Sequence, residues 1–374
     1  MGGRKPTISA SAPAKCVLFG EHAVVYGQPA IAVALDMRTR VSIQTHDKME
    51  IEGRTFQPKI HPHIHFLIKK LWPKSSIQER LSIDIQSEIP SASGLGSSAA
   101  MCNALIACLR TARGRRTGQN GEWLEGWSSF HNAKDAYEPS LIDGYVPHAN
   151  LVGDDALSID ECGLLSHAAE AFAQGGLASP MDTSTSAHGG LILLGKSPKE
   201  QYLYTRELVV NQNIRSWDIN HLQPQFPDDL FFVIGATGIR SSTKEQVEHV
   251  ARLISNSGEY ASCIEDIGAI TMAGLDAMQK GDFVEVGRLM NQNQILLEKL
   301  QVSSTELRRL IRAALPTSLG TKLSGAGGGG CMVALTQQPE QTALAIEAAG
   351  GTSFITSVSN EGVRLESFET ILNS

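Results

Sequence analysis

A loop rich in glycine and serine links a predicted strand to a predicted helix in the first third of the chain. Residues 90–100 read Pro-Ser-Ala-Ser-Gly-Leu-Gly-Ser-Ser-Ala-Ala, after the strand-like run 81–86 and before the helix-forming run 101–109. Small residues leave backbone N–H groups open to an anion, and the helix N-terminus adds partial positive charge. Taken alone, these residues fit both a phosphate site and a tight turn with a serine N-cap.

A second glycine cluster lies near the end of the chain. Residues 322–331 read Lys-Leu-Ser-Gly-Ala-Gly-Gly-Gly-Gly-Cys, and the apolar run 331–335 follows directly. Four consecutive glycines are incompatible with a stable helix interior and indicate backbone that approaches another group closely. A flexible linker is the alternative, but the immediate return to strand residues favours a loop packed beside the first glycine loop.

Composition argues against several classes of function. The chain has 374 residues, 42% of them hydrophobic, and a net charge of −7. The length suits two lobes or one large domain, and the charge argues against a nucleic-acid-binding protein. No apolar run is long enough to span a bilayer, and residues 1–6 lack the apolar core of a signal peptide. The six cysteines lack metal-ligand spacing and favour buried free thiols. We therefore predict a cytoplasmic enzyme with neither nucleic-acid nor membrane partners.

Strands and helices are predicted in mixed order without strict alternation, which is typical of an α+β fold. Residues 7–12 and 16–19 are predicted as two separate strands, with Pro-Ala-Lys between them. Residues 177–186 are polar and lie between a helix that ends at Gly-Gly and an apolar strand, so we predict a loop there. Residues from about 112 to 155 are first basic and glycine-rich and then rich in tryptophan and proline, which predicts an inserted segment.

Two further motifs suggest functions that their surroundings do not support. Residues 190–197 match the P-loop pattern literally, but four large aliphatic residues occupy the positions where a P-loop needs a flexible turn. Histidines alternate at positions 61, 63 and 65, yet His61 and His63 do not share a helix face. We therefore favour a helix entry with partly exposed histidines over a metal site.

Three motifs, in this order, resemble those of the GHMP kinase superfamily. They are Pro-Ala-Lys…Gly-Glu-His at 13–22, Gly-Leu-Gly-Ser-Ser-Ala-Ala at 94–100, and Lys-Leu-Ser-Gly-Ala-Gly-Gly-Gly at 322–329. The form Leu-Phe-Gly-Glu-His-Ala-Val-Val-Tyr-Gly at 18–27 is similar to mevalonate kinases, whereas galactokinases follow Glu-His with Thr-Asp. The resemblance covers most of the chain except the segment at about 112–155.

The resemblance implies a two-lobed α+β fold with the active site in the cleft between the lobes. The N-terminal α/β lobe would span residues 1–195, bind ATP and contain a left-handed βαβ unit, an exception to the usual crossover hand. The C-terminal lobe would span residues 196–374 and be ferredoxin-like.

By the same resemblance, Asp182 is the catalytic carboxylate and Lys15 is the cation beside it. A carboxylate there can accept the proton of the acceptor hydroxyl during phosphoryl transfer. A neighbouring ammonium lowers the pKa of that carboxylate and stabilises phosphate charge. From the residues alone, an Asx-turn or N-cap is the more ordinary role for a loop aspartate, and Lys15 would be an exposed turn lysine.

The resemblance also implies ligands for Mg²⁺, ATP and the acceptor. Ser98 and Glu170 would bind Mg²⁺, although Glu170 is one residue further from Asp182 than in many relatives and a surface glutamate is the alternative. The residues implied for ATP are Pro90, Gly94, Leu95, Gly96, Ser97, Ser98, Ala99, Gly327 and Gly328. Those implied for the acceptor are Glu21, His22, Thr243 and Ala326.

The implied activity is the ATP-dependent phosphorylation of the 5-hydroxyl of mevalonate in isoprenoid biosynthesis, by an expected homodimer. The alternatives are a related kinase acting on phosphomevalonate or on the mevalonate 3-hydroxyl, and a non-catalytic metabolite-sensing protein. Two positions depart from the family pattern: Ala14 replaces a glycine, and Ala187 stands where relatives usually carry threonine. Because we expect residue 187 to lie close to the acceptor pocket, this departure bears on the choice of acceptor.

Overall fold

The computed structural model describes residues 7–72, 80–90, 93–113, 116–117, 123–124, 159–176, 178–196, 201–210 and 213–366, so most of the segment at 112–155 lies outside the described residues. The strands are β1 (Ile8–Phe19), β2 (Ala30–His46), β3 (Glu50–Ile51), β4 (Arg54–Thr55), β5 (Arg80–Ser87), β6 (Arg116–Thr117), β7 (Trp123–Leu124), β8 (Leu191–Leu194), β9 (Tyr202–Val210), β10 (Asn213–Leu222), β11 (Phe231–Ala236), β12 (Gly320–Ser324), β13 (Cys331–Thr336), β14 (Thr352–Thr356) and β15 (Arg364–Leu365). The helices are α1 (Pro62–Leu71), α2 (Ser97–Arg113), α3 (Ile159–Ala173), α4 (Met181–His188), α5 (Thr243–Asn256), α6 (Gly258–Gln279), α7 (Phe283–Lys299), α8 (Thr305–Ala314) and α9 (Pro339–Ala348). No helix within the described ranges is long and apolar enough to cross a membrane.

Strand β2 is the centre of the N-terminal lobe. The sheet has the order β4-β3-β5-β2-β8-β10-β9, and β1 pairs with both β2 and β15. Residues 30–35 of β2 are all buried, whereas residues 36–46 largely alternate between buried and more exposed positions, as expected where only one face of a strand is covered. Helix α2 packs across β1 and β2, and α3 and α4 pack against α2. The mixed α+β architecture predicted from the sequence is confirmed, while the hand of the βαβ unit stays a prediction.

Strand β1 is continuous, so the prediction of two separate strands is wrong. It runs through Pro13 and Lys15, and the register against β2 shifts between Pro13 and Ala14. A bulge accommodates a proline within a strand because the local ladder is already interrupted there. The strand therefore carries Lys15 rigidly into the centre of the molecule.

The first sheet continues beyond residue 195, where the sequence predicts the lobe boundary. Strand β10 pairs with β8 and with β9, so sheet membership extends to Leu222. The chain also returns at its end, because β15 pairs with β1 through Leu365 and Ala10. Strand β8 fills the middle of the literal P-loop match with four buried residues, which confirms that this match is a strand.

The C-terminal lobe is ferredoxin-like, as predicted. Its antiparallel sheet has the order β12-β13-β11-β14. Numbered within the lobe, the strands follow the order 2-3-1-4, with helices α5–α8 after the first strand and α9 after the third. This is the β-α-β-β-α-β arrangement with an enlarged first connection. The Ser242 side chain caps α5 by accepting from the Glu245 amide at 3.3 Å.

Residues 181–188 form helix α4, so the prediction of a loop through residue 186 is wrong. The polar run is buried because its hydroxyl groups bond to backbone carbonyls. Thr183 donates to Pro180, Thr185 to Met181, and Ser186 to the Pro13 carbonyl of the β1 bulge at 2.7 Å. The helix therefore packs against β1 and holds Asp182 in its first turn.

One test of the lobe packing uses Gly287 in α7. A Cβ at this position would lie 2.4 Å from the Leu319 carbonyl oxygen, just before β12. We expect Gly287→Ala to lower the free energy of unfolding by about 1–3 kcal/mol through overpacking, although helix propensity alone predicts a gain of about 1 kcal/mol. Urea denaturation measures the difference. The control is Gly258→Ala, where nothing lies within 4 Å, and equal effects of the two changes would contradict the packing argument.

Candidate active site

Lys15 and Asp182 form an ion pair where β1 meets α4. Lys15 Nζ lies 3.0 Å from Asp182 Oδ1, and the lysine side chain is 4% exposed against 42% for the aspartate. Burial by itself lowers the pKa of Lys15, but the charge and hydrogen bond of Asp182 outweigh it and raise that pKa above its ordinary value. The ammonium therefore stays charged at neutral pH, while the carboxylate remains open to a ligand.

The glycine loop before α2 wraps around Lys15. The Lys15 ammonium donates to the Gly94 carbonyl at 3.0 Å, and the Lys15 amide donates to the Leu95 carbonyl at 2.9 Å. Gly94 and Gly96 both have φ of 78°, and a Cβ on Gly96 would lie 2.9 Å from Lys15 Cγ. Glycine is therefore required at residue 96 by both backbone conformation and space.

A cavity of about 470 Å³ opens over this loop. Its lining includes Pro90, Gly94, Leu95, Gly96, Ser97 and Ser98 from the predicted ATP site. Ala99 is fully buried and is not among its lining residues. The cavity ends at Asp182, so its contents would meet the carboxylate of α4.

A second cavity, of about 270 Å³, also has Asp182 in its lining. It brings together the residues predicted for the acceptor, which are Glu21, His22, Thr243 and Ala326. Lys15 and Glu170 also line it, and Gly94 and Asp182 line both cavities. A nucleotide on the glycine loop and a small acceptor in the second cavity would therefore meet at Asp182.

Glu170 lies beside the glycine loop with both carboxylate oxygens engaged. Ser98 donates to Oε1, while His63 Nε2, at 3.3 Å, and Gln174 Nε2, at 2.5 Å, contact Oε2. Burial by itself raises the pKa of Glu170, but His63, Ser98 and Gln174 together lower it. The carboxylate therefore stays ionised at neutral pH.

The donor set at Ser98 and Glu170 fits Mg²⁺. A hydroxyl and a carboxylate lie in hydrogen-bond contact at the loop that would hold phosphates, and hard oxygens completed by phosphate and water are what Mg²⁺ prefers. No cluster of three or more metal-binding side chains occurs within the described ranges, and the preference for helix-entry histidines over a metal site at residues 61–65 stays a prediction.

His22 has an unusual backbone and a defined tautomer. Its φ is 61°, and its Nε2 lies 2.8 Å from the Ala326 carbonyl oxygen. Burial lowers its pKa, so the neutral ring donates from Nε2 to that carbonyl and presents Nδ1 as an acceptor. His22 would therefore accept a hydrogen bond from a hydroxyl of the acceptor at Nδ1, rather than donate one.

Glu21 is held by a buried ion pair between the lobes. Its carboxylate contacts Lys322 Nζ of β12 and accepts from Asn293 at 3.2 Å. The two charged side chains are 0% and 1% exposed. Lys322 also donates to the Leu323 carbonyl at 2.7 Å. The sequence analysis did not predict that Lys322 and Asn293 contact Glu21, because no local pattern relates residues about three hundred positions apart.

The four-glycine run packs mainly within its own lobe. A Cβ on Gly327 would lie 2.1 Å from the Val302 carbonyl oxygen, and one on Gly328 2.4 Å from Gln246 Nε2. Neither glycine lines the two cavities described above. Gly330 approaches the first loop instead, with its Cβ position 3.3 Å from the Ser93 carbonyl oxygen, so the predicted packing of the two loops is present.

Ala187 faces away from the acceptor cavity. Its Cβ lies 3.4 Å from the Cβ position of Gly163 in α3, and its carbonyl accepts from the Val363 amide at 2.9 Å. It is absent from the lining of the acceptor cavity. The alanine at 187 therefore contributes to helix packing and does not line the acceptor cavity, and its effect on the choice of acceptor stays a prediction.

Comparison with known proteins identifies the family. The family model "GHMP kinases N terminal domain" matches residues 63–124, and "GHMP kinases C terminal" matches residues 275–353. The mevalonate kinase of Thermococcus onnurineus is 32% identical over 397 aligned residues, covering 96% of this chain and 98% of the relative. The chain belongs to the mevalonate kinase family. The enzyme of Pyrococcus abyssi is likewise 32% identical, over 96% and 98% of the two chains.

Solved structures show the same fold. Methanococcus jannaschii mevalonate kinase superposes with a TM-score of 0.66 and 23% identity over 96% of this chain and 100% of that one. L. major mevalonate kinase in complex with R-mevalonate gives a TM-score of 0.66 and 22% identity over 97% of each chain. Both confirm the two-lobed architecture of the family.

The Glu21–Lys322 pair allows a thermodynamic test of the lobe contact. Lys322→Met leaves a buried carboxylate unpaired, so we expect it to lower the free energy of unfolding by about 3–5 kcal/mol. Glu21→Leu with Lys322→Met removes both charges and should recover most of that loss. Chemical denaturation followed by circular dichroism measures both.

A surface pair provides the control for this cycle. Lys280 and Asp276 are 68% and 62% exposed, and Lys280→Met should change stability by no more than about 1 kcal/mol. If the double variant were no more stable than Lys322→Met alone, the loss would not come from the unpaired charge of Glu21.

Proposed function

We propose that the protein transfers the γ-phosphoryl group of ATP to the 5-hydroxyl of mevalonate. The observation that supports this most directly is the junction of the two cavities at Gly94 and Asp182, with Lys15 Nζ 3.0 Å from the Asp182 carboxylate. Phosphoryl transfer needs a phosphate cradle, an acceptor site and a proton acceptor at their meeting point. The curated relatives named mevalonate kinase support the choice of acceptor.

The nucleotide would occupy the cavity over the glycine loop. Its phosphates would meet the backbone of residues 94–98 and the N-terminus of α2, where partial positive charge favours an anion. Ser98 and Glu170 would hold Mg²⁺, which supplies charge neutralisation at the β- and γ-phosphates when bound. Gly327 and Gly328 remain proposed ATP ligands from the family resemblance.

The charge of the acceptor cavity favours an unphosphorylated acid over a phosphorylated one. Its lining contains one lysine, Lys15, and three carboxylates, Glu21, Glu170 and Asp182. His22 adds no positive charge, because its pKa is lowered by burial. A dianionic phosphate would have no free cation among these lining residues, whereas a hydroxyl of mevalonate would donate to Nδ1 of His22.

In the proposed reaction, Asp182 accepts the proton of the acceptor hydroxyl as the hydroxyl oxygen bonds to the γ-phosphorus. The bond from that phosphorus to the β–γ bridging oxygen breaks, and ADP leaves. Lys15 lies between the carboxylate and the phosphate cradle, so it stabilises the charge that moves between them. Lys15 is buried and lies next to the β1 bulge, so its ammonium is already in place before the reaction.

Asp182→Asn tests the proton acceptor. We expect turnover, measured as ADP release with mevalonate, to fall about 10²- to 10⁴-fold, since positioned proton transfer contributes that much. Binding of a non-hydrolysable ATP analogue, measured by calorimetry, should change little. Asp276→Asn is the matched control at an exposed position of helix α6, and it should retain activity. Full turnover by Asp182→Asn would contradict the proposed role of Asp182 as proton acceptor.

An acceptor panel tests the substrate. Intact protein is assayed with mevalonate and with 5-phosphomevalonate, and ³¹P NMR reads the position of the new phosphate. We expect turnover of mevalonate with a 5-phosphate product. Turnover of phosphomevalonate alone, or phosphate on the 3-hydroxyl, would replace the substrate assignment, and ATP binding without turnover of either acceptor would favour the sensing alternative.

We also propose a cytoplasmic homodimer. The six cysteines are free and buried, which supports a reducing compartment. The dimer is supported by family resemblance alone, and light scattering on the full chain tests it.

A further inference from the structure

The two oxygens of Glu170 have different surroundings. Oε1 accepts from the Ser98 hydroxyl, at the start of α2. Oε2 lies 3.3 Å from His63 Nε2 and accepts from Gln174 Nε2 at 2.5 Å. Only Oε1 therefore contacts a residue of the glycine loop, Ser98, while Oε2 contacts His63 of α1 and Gln174 after α3.

The groups that hold Oε2 are themselves fixed by helix packing. His63 lies in the first turn of α1, and Gln174 follows the end of α3, one turn after Glu170. Helices α1 and α3 pack together, with the rings of Phe66 and Phe172 at 5.4 Å. The Glu170 side chain is 6% exposed and that of His63 is 21% exposed, so the carboxylate has little freedom to rotate.

We propose that His63 and Gln174 are positioning residues that occupy Oε2 of Glu170, so that Glu170 offers only Oε1 to a divalent cation and the site selects Mg²⁺ over Ca²⁺. This inference rests on the proposed function, because the cation is the one that would accompany ATP. It also explains the histidine at position 63 in a motif that builds no metal site of its own.

The physical basis is the difference between the two cations. Mg²⁺ requires near-octahedral geometry and binds one or two carboxylates plus phosphates and water, whereas Ca²⁺ is larger and often takes both oxygens of one carboxylate. A carboxylate whose second oxygen already accepts two hydrogen bonds is unsuited to two-oxygen binding. Partners that orient a metal ligand typically change metal affinity about 10- to 100-fold when removed.

The experiment measures how strongly each metal increases the affinity for a nucleotide. Calorimetry gives the Kd of a non-hydrolysable ATP analogue in EDTA, in Mg²⁺ and in Ca²⁺, for the intact chain and for His63→Leu. The ratio of the EDTA value to the metal value is the metal enhancement. We expect His63→Leu to reduce the Mg²⁺ enhancement about tenfold and the Ca²⁺ enhancement far less, so that discrimination between the metals falls.

Two variants make the result specific. His63→Gln keeps a neutral N–H donor and should restore most of the Mg²⁺ enhancement. His65→Leu is the matched control on the same helix, where the ring lies beside Phe56 at 6.4 Å, and both enhancements should match the intact chain. Gln174→Leu, at the end of α3, should reproduce the effect of His63→Leu without changing α1.

Two outcomes would overturn the proposal. One is that both the Mg²⁺ and the Ca²⁺ enhancement of His63→Leu and Gln174→Leu equal those of the intact chain. The other is an equal loss for both metals in a protein whose Tm is unchanged, which would show a general effect on affinity. Failure of the proposed function looks different, because the intact chain itself would then show no metal-dependent binding of the analogue.

Discussion

The active site depends on how one buried ammonium group is satisfied. Lys15 is carried by a long central strand into a place with almost no water, and such a charge is costly unless it is paired and hydrogen-bonded. Its partners, Asp182 and the Gly94 carbonyl, belong to α4 and to the glycine loop. Satisfying one lysine therefore fixes the three parts of the chain that phosphoryl transfer would use.

Helix α4 is positioned from both ends. At its first turn Asp182 pairs with Lys15, and near its last turn the Ala187 carbonyl accepts from Val363 of the returning C-terminal segment. Arg38 holds that segment by donating to the Glu361 carbonyl at 3.1 Å and to the Gly362 carbonyl at 2.5 Å. Because Gly362 touches Ala187 directly, with a Cβ position 1.9 Å from its carbonyl oxygen, the end of the chain packs against the helix that carries the candidate base.

Local features were predictable from the sequence because their causes are local. The glycine loops, the Ser242 cap and the strand within the false P-loop match all follow from residue types over a few positions. The site residues on those loops came from motifs that resemble a known family, and the structure places most of them around two adjoining cavities.

What could not be predicted depends on contacts distant in sequence. Helix α4 looked like a loop because its serines and threonines are poor helix formers, and only the carbonyls around them, including that of Pro13, make burial favourable. His63 looked like a partly exposed helix-entry residue until α1 and α3 brought it to Glu170. The Glu21–Lys322 pair requires both lobes to be folded.

The two cavities differ in the charged groups that line them, and this difference suits them to different ligands. On the glycine loop, backbone amides and the N-terminus of α2 would attract phosphates without carrying a full charge. Across Asp182, three carboxylates and a neutral histidine surround the smaller cavity. Polyphosphate is therefore favoured on the first side and disfavoured on the second. Lys15 is the single cation among the residues lining the smaller cavity. It pairs with Asp182, which lines both cavities and lies where charge would move during phosphoryl transfer.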